Sequence, residues 1–122
     1  MAAVASIISI MLFLVFASGG IQKMTFNPLM SSSAARLGFS KSTYQRLGFL
    51  EILGGVGLLV GLSATGTSLW AIINDAAAGA LTIMMILAVS VHLRRGENWR
   101  AYAPALILAI AALVELVLRL SA

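Results

Sequence analysis

Cysteine is absent from this chain of 122 residues, and one histidine and four acidic residues are the only other common metal ligands. Without cysteine the chain itself forms no disulfide, performs no thiol chemistry and ligates no iron–sulfur cluster. With so few histidines and carboxylates, we expect no self-contained metal site. The sequence also lacks the GxSxG, HExxH and P-loop patterns. We therefore predict no catalytic residues, no metal site and no intrinsic cofactor.

Charge is scarce as well, since charged residues make up 10% of the chain and hydrophobic residues 61%, with a mean hydropathy of +1.03. Soluble domains are about one half apolar and one quarter charged, and a small soluble domain buries only part of its apolar surface. The composition predicts an all-α integral membrane protein whose outer faces contact the lipid bilayer. The net charge of +4 lies in two short segments without an aromatic platform, so nucleic-acid binding is not expected.

Four apolar segments are long enough for helices that cross a bilayer, which takes about 20 residues each. The predicted helices cover residues 3–21, 42–62, 68–93 and 100–120, and the basic loops between them cover 22–41 and 94–99. Short connections make consecutive helices antiparallel neighbours. The prediction is therefore one domain, a four-transmembrane-helix antiparallel bundle. Its first segment lacks a basic leader, so we expect a retained helix rather than a cleaved signal peptide.

Local signals suggest where the helices begin and end on the basic side. Asn27-Pro28 is typical of a turn that follows the first helix. Residues 33–40 carry a weak signal for a short interfacial helix. Ser42 followed by Gln45 matches a capping box, which predicts that the second long helix starts there.

The basic residues are distributed unevenly between the two ends of this bundle. Two helices separate the two basic loops, so both loops lie on one side of the membrane. Only Arg119 lies at the opposite end, and the other seven of the eight basic residues lie at the loop end: Lys23, Arg36, Lys41, Arg46, Arg94, Arg95 and Arg100. The positive-inside rule predicts an inner (plasma) membrane protein with cytoplasmic loops and both termini outside.

Small residues repeat at helical spacing on three of the helices. Helices associate in lipid through close approach at such residues, because lipid provides no hydrophobic drive between them. The repeats are Gly54-Gly55, Gly57 with Gly61, Ala76 with Ala80, and Ala101, Ala105 and Ala109. We expect these residues to form the internal seam of the bundle. A homo-oligomer face is the alternative, and the sequence leaves both open.

Polar side chains within the membrane are costly and require a partner, water or a function. The antiparallel arrangement places four of them at one level near the basic loops: Gln22, Lys23, Glu51 and His92. One interpretation is a Lys23–Glu51 ion pair with the histidine at headgroup level. The other is a binding site for a quinone, an isoprenoid or a phospholipid headgroup, in which the imidazole exchanges protons near neutral pH.

A second polar group is predicted near the other end of the bundle, and it comprises Asn74, Asp75, Glu115 and Arg119. Glu115 precedes Arg119 by four residues, which is the favourable order for an ion pair within a helix. We expect structural pairing here. Asp75 lies about two turns inside its helix, so its carboxylate must be paired, hydrated or protonated.

Three segments form a further pattern. Residues 16–24 read FASGGIQKM, residues 46–55 read RLGFLEILGG, and the third helix ends Val91-His92-Leu93. These segments resemble the DoxX-like family of small four-helix bacterial membrane proteins. The resemblance implies a four-helix bundle and points to Lys23, Glu51 and His92. It also implies association, in some relatives, with quinone-linked oxidation of sulfur compounds and, in others, with redox or stress partners.

The leading hypothesis is a non-catalytic membrane subunit or accessory protein that packs on other membrane protein subunits and holds a lipid or quinone. We do not expect an enzyme on its own. The first alternative is the membrane component of a quinone-linked oxidoreductase, with Glu51 and His92 handling protons. The second is a small transporter in which Asp75 and Glu115 line a path, although the chain shows no inverted repeat.

Overall fold

In the computed structural model, residues 2–62 and 68–121 are described, and their regular structure is entirely α-helical. These residues form α1 (Ala2–Thr25), α2 (Pro28–Leu37), α3 (Lys41–Val60), α4 (Leu69–Arg94) and α5 (Trp99–Leu120). The expected all-α class is confirmed. The predicted connection at 63–67 lies outside the described residues.

Three helical segments in the described part of the chain are long and apolar enough to cross a membrane: Ala3–Thr25, Leu69–Arg94 and Trp99–Leu120. Each exposes many large hydrophobic side chains, which is expected where lipid is the solvent. The protein is therefore an all-α membrane protein. The helix α3 carries Lys41, Arg46 and Glu51 and is not among these three segments.

The four long helices pack as a bundle in which each contacts two neighbours. The helix α1 packs against α3 and α5, and α4 packs against the same two helices from the other side. The short helix α2 contacts α3 at the end of the bundle. The buried core contains large side chains from three helices and alanines from the fourth: Leu12, Phe16, Leu58, Leu81, Met85, Ala105, Ala109 and Ala112.

Glycines on α3 allow close packing on both of its sides. Gly48 faces α1, where an added Cβ would lie 2.6 Å from the carbonyl oxygen of Gly20. Gly54 and Gly57 face α4, where added Cβ atoms would lie 2.7 Å from a Leu81 methyl group and 2.8 Å from the Ala77 Cβ. The glycine seam of α3 therefore packs within the chain.

The alanines divide between internal and external faces. Ala105 and Ala109 of α5 are buried, as expected for the internal seam. The prediction for Ala76 and Ala80 was wrong, because both side chains are exposed on the outer face of α4. The core of α4 is formed by residues in a different register, including Ala78, which is fully buried.

The basic segment 22–41 is mostly helical, so its prediction as a loop is corrected. The helix α1 continues to Thr25, and α2 starts at Pro28 with Asn27 as its N-cap. The Asn27 side chain accepts a hydrogen bond from the Met30 N–H at 2.9 Å. Asn-Pro therefore starts a helix here as well as ending one, because proline lacks only an N–H that the first helical turn leaves unused.

The start of α3 also differs from the prediction. Its N-cap is Ser40, whose Oγ accepts a hydrogen bond from the Thr43 N–H at 3.2 Å, so the capping box at Ser42 was wrong. Gln45 does not close a capping box with Ser42. Its Nε2 instead donates a hydrogen bond to the Met24 carbonyl oxygen at 2.9 Å. This bond ties the beginning of α3 to the end of α1.

Candidate ligand-binding site

An ion pair joins α1 to α3 near the basic end of the bundle. The Lys23 ammonium donates a hydrogen bond to Glu51 Oε1. Glu51 is buried, with 4% of its surface exposed, and its other carboxylate oxygen lies against Gly19. The Lys23 Nζ also lies 5.4 Å from the centroid of the Tyr44 ring, in a cation–π contact. The pair offsets a buried charge that would otherwise be costly.

Two cavities flank this ion pair. One has a volume of about 370 Å³ and lies mainly between α3 and α4, and the other has about 230 Å³ and lies among α1, α4 and α5. Five residues line both of them: Lys23, Glu51, Met85, Ala88 and His92. The predicted group of Lys23, Glu51 and His92 therefore surrounds a common region, and both cavities present polar groups at one end and apolar walls elsewhere.

The larger cavity reaches the outer surface of the bundle. Leu87 and Arg94 line it, and both side chains are exposed. Its apolar wall includes Leu47 of α3 and Met84 of α4. Small-molecule sites are typically about 300–1,000 Å³ with apolar walls and a few polar groups. This cavity matches such a site for a molecule with a polar head and an apolar tail.

His92 contacts a loop residue, Glu97, that no sequence pattern marks as part of a site. Its Nδ1 lies 3.3 Å from Glu97 Oε2, and the Arg36 Nε donates to Glu97 Oε1 at 3.1 Å. Glu97 thus links α2, the end of α4 and the loop before α5. The only signal in the sequence was a single acid among basic loop residues, and its partner Arg36 is far away along the chain.

The pKa of the Glu97 carboxyl reflects these two contacts. Desolvation opposes its ionisation, but the hydrogen bonds from Arg36 and His92, together with their charges, outweigh that effect and lower the pKa below its ordinary value. Glu97 is therefore an anion at neutral pH and presents an acceptor to His92.

Gln22 stands apart from the other three residues of the predicted group. Its side chain is exposed and lines neither cavity. Its backbone carbonyl oxygen accepts hydrogen bonds from the Thr25 hydroxyl at 2.8 Å and the Phe26 N–H at 3.1 Å. Gln22 therefore contributes to the end of α1 rather than to the cavities.

The second predicted polar group contains a fully buried carboxylate. Glu115 Oε1 accepts hydrogen bonds from the Ser9 hydroxyl at 2.8 Å and from the Arg119 Nε at 3.1 Å. Arg119 also donates to the Leu62 carbonyl oxygen at 2.6 Å, and the Ser6 hydroxyl donates to the same oxygen at 3.3 Å. These contacts join α5 to α1 and to the end of α3. The serines of α1 were missed because they appear only as interruptions of an apolar run.

Asn74 and Asp75 take different positions at this end. Asn74 is fully buried, and its Nδ2 donates to the Leu58 carbonyl oxygen at 2.8 Å. Asp75 is half-buried and forms no ion pair among the described residues. Within residues 2–62 and 68–121, no three His, Asp or Glu side chains come together as a metal site requires.

Comparison with known protein families identifies this chain's relatives. The model of the DoxX-like family matches residues 7–114, which include all of α2, α3 and α4 and most of α1 and α5. No curated protein and no solved structure matches the chain. The matched region contains Lys23, Glu51, His92 and Glu97, and the resemblance seen in the sequence is confirmed. The chain belongs to the DoxX-like family.

Proposed function

We propose that this protein is a non-catalytic membrane subunit or accessory protein that holds an amphipathic molecule, a lipid or a quinone, in the larger cavity. One observation carries the proposal. The cavity of about 370 Å³ combines a polar end, formed by Lys23, Glu51 and His92, with an apolar wall that opens toward the lipid. A purely structural ion pair needs no such space beside it.

We further propose that α3 is the fourth transmembrane helix. It packs between α1 and α4, which are both apolar enough to cross the membrane. Its outward side chains are large and apolar, including Phe49, Leu53 and Val60, and they suit contact with lipid. The pairing of Glu51 with Lys23 removes the main electrostatic objection to a crossing. The short helix α2 then lies at the membrane surface.

The same arrangement supports an orientation in the inner (plasma) membrane. Arg36 of α2 and the loop residue Glu97 are bonded to each other, so the two basic segments share one end of the bundle. The positive-inside rule then favours a cytoplasmic position for this end and an outside position for both termini. The variants Ser31→Cys and Ser121→Cys each introduce a single cysteine into a chain that has none, and labelling of that cysteine from either side of the membrane tests this orientation. The cysteine at position 31 is expected to react with a thiol reagent from the cytoplasmic side, and the cysteine at position 121 from the outside.

Association with other membrane protein subunits is the second part of the proposal. Ala76 and Ala80 are exposed on the outer face of α4, one turn apart. Because their side chains are small, the helix of another protein can approach α4 closely there. Gentle extraction followed by native mass spectrometry is expected to recover a stoichiometric protein partner. A monomer or homo-oligomer without other subunits would contradict an accessory role.

The bound molecule is tested in the same measurement with two matched variants. Ala88 lines both cavities, so Ala88→Phe fills the space between them and is expected to abolish retention of the small molecule. Ile86 lies on the same helix and is exposed, so Ile86→Phe adds a comparable group outside the cavities and should leave retention intact. Wild-type protein that carries no lipid or quinone, or equal retention in both variants, would exclude the proposed site.

A further inference from the structure

We infer that the molecule in the larger cavity is an anionic, phosphate-headed lipid, and that Arg94 together with Lys23 and His92 receives its headgroup. This inference rests on the proposed function, because it concerns the same cavity. It goes further by selecting one class of ligand over neutral quinones and over lipids whose headgroups carry no net charge. The selection follows from the distribution of charge around the opening.

The charges that line the cavity do not cancel. Lys23 is offset by Glu51, with which it forms an ion pair. Arg94 has no carboxylate partner among the described residues, and its Nη2 donates only to the Ser90 hydroxyl at 3.0 Å. One positive charge therefore remains at the opening, where it is exposed.

The nearby acid of the loop does not neutralise Arg94. Both oxygens of Glu97 are already engaged, Oε1 by Arg36 at 3.1 Å and Oε2 by His92 at 3.3 Å. The contact with His92 also fixes the orientation of an imidazole that lines the cavity. A headgroup in the opening thus meets the nitrogen groups of Arg94, Lys23 and His92. The two nearby carboxylates, Glu51 and Glu97, are each already in an ion pair with a basic residue.

The shape of the site matches a lipid rather than a free anion. The apolar wall of the cavity includes Leu47, Met84 and Leu87, which suit an acyl or isoprenoid chain. An arginine guanidinium can hold a phosphate through two parallel hydrogen bonds, and this geometry favours phosphate over a single carbonyl oxygen. The head and the chain of a phospholipid therefore both find complementary surfaces.

The surroundings of the opening increase the preference for an anion. Exposed cationic side chains without an ion pair in the described structure cluster at the same end of the bundle: Lys41, Arg46, Arg95 and Arg100. Basic groups at a membrane surface attract anionic lipids. A neutral or zwitterionic headgroup would leave this excess positive charge without compensation.

The test measures lipid binding to the full chain in detergent by native mass spectrometry, with phosphatidylglycerol, phosphatidylcholine, decylubiquinone and inorganic phosphate as separate probes. We expect phosphatidylglycerol to bind at least about tenfold more tightly than phosphatidylcholine, and Arg94→Gln to remove most of that difference, because hydrogen bonds to charged groups are among the strongest in proteins. Arg100→Gln is the matched control, since Arg100 is exposed, stacks on Trp99 and lines neither cavity. It should retain most of the preference and lose only the small share that general surface charge contributes.

The outcomes separate the inference from the proposed function. Binding of decylubiquinone without a preference for phosphatidylglycerol would overturn the inference and leave an amphiphile site in place. Tight binding of inorganic phosphate alone would overturn the inference as well, because the site would then bind a free anion rather than a lipid. Failure of all the lipid and quinone probes would remove the proposed function together with the inference. An equal loss in Arg94→Gln and Arg100→Gln would indicate general surface charge and refute the role of Arg94.

Discussion

Gly48 of α3 lies directly against the backbone of Gly20 of α1. A Cβ on Gly48 would lie 2.6 Å from the Gly20 carbonyl oxygen and 2.8 Å from the Lys23 Cβ. Real side chains do not approach this closely, so only glycine permits the crossing. The crossing also holds Lys23 at the level of Glu51, and thereby positions the polar end of both cavities.

Gly48→Ala is expected to destabilise the bundle although alanine is the better helix former. The added methyl group meets backbone atoms that cannot move aside, and overpacking of this kind costs about 1–3 kcal/mol. Gly79→Ala is the matched control, because its Cβ would be 4.0 Å from its nearest neighbour, a Leu116 methyl group. That change should stabilise α4 by about 0.5–1 kcal/mol through helix propensity. Melting curves in detergent measure both effects, and a Gly48→Ala variant as stable as the wild type or more stable would contradict the close crossing.

Removal of either partner from the Lys23–Glu51 pair is expected to destabilise the protein, and the two losses should differ. Lys23→Gln leaves a carboxylate that is only 4% exposed, whereas Glu51→Gln leaves an ammonium on a long side chain that is 23% exposed. Breaking a buried pair costs about 3–5 kcal/mol. We expect Lys23→Gln to approach this range and Glu51→Gln to fall below it, because lysine can extend its charge toward water. Thermal melting at pH 7 measures both.

The double variant with Lys23→Gln and Glu51→Gln provides the control. Two neutral amides at these positions can bond to each other, so its stability should lie above that of Lys23→Gln. A double-mutant cycle then gives the coupling between the two residues. Additive losses in the cycle would show that the two side chains do not act as a pair.

Patterns that depend on neighbouring residues were visible in the sequence. The long apolar helices follow from composition, and the Glu115–Arg119 pair follows from its spacing of one helical turn. Antiparallel threading indicated that Lys23, in the last turn of α1, and Glu51, near the middle of α3, lie at a similar level. The length of α1 was underestimated because its last turn is polar, and hydropathy does not register a helix that continues into the interface.

Features that depend on distant residues were not visible in the sequence. Glu97 bonds to Arg36 across the fold, and no local pattern marks that partnership. Ser9 lies on an apolar helix, and only the packing of α1 against α5 shows that its hydroxyl faces Glu115. The helix α2 was obscured because Asn27-Pro28 suits both a turn and an N-terminal cap. The cavities themselves are properties of packing and have no counterpart in sequence.

Acidification is expected to loosen the link between α2 and the α4–α5 loop. Desolvation opposes the charge on Glu97, but Arg36 and His92 outweigh it and lower the pKa of the folded state. A group with a lowered folded pKa contributes stability that is fully present above the unfolded value, about 4.3, and is lost as the pH falls through the lower folded value. Hydrogen exchange of the α2 amides, compared at pH 6 and in the acid range after correction for intrinsic rates, should show the loss. In the Glu97→Gln variant, the α2 amides should exchange as fast at pH 6 as the α2 amides of the wild type do in acid, after the same correction. An unchanged protection pattern in that variant would show that the carboxylate does not hold α2.

Ser9→Ala is expected to destabilise the end of the bundle opposite the basic segments more than Ser6→Ala, although both serines lie on α1. The Ser9 hydroxyl is fully buried and donates to Glu115 Oε1 at 2.8 Å, so its removal takes a hydrogen bond from a buried carboxylate. Loss of a partner from a buried polar group costs about 1–3 kcal/mol, and more when the group is charged. The Ser6 hydroxyl is only partly buried, and its hydrogen bond to the Leu62 carbonyl oxygen is 3.3 Å long. The same oxygen also accepts a hydrogen bond from Arg119, so it keeps a partner when Ser6 is replaced. Loss of the Ser6 hydroxyl should therefore cost less than about 1 kcal/mol. Melting of both variants in the same detergent gives the ranking, and a larger loss for Ser6→Ala would contradict the contact between Ser9 and Glu115.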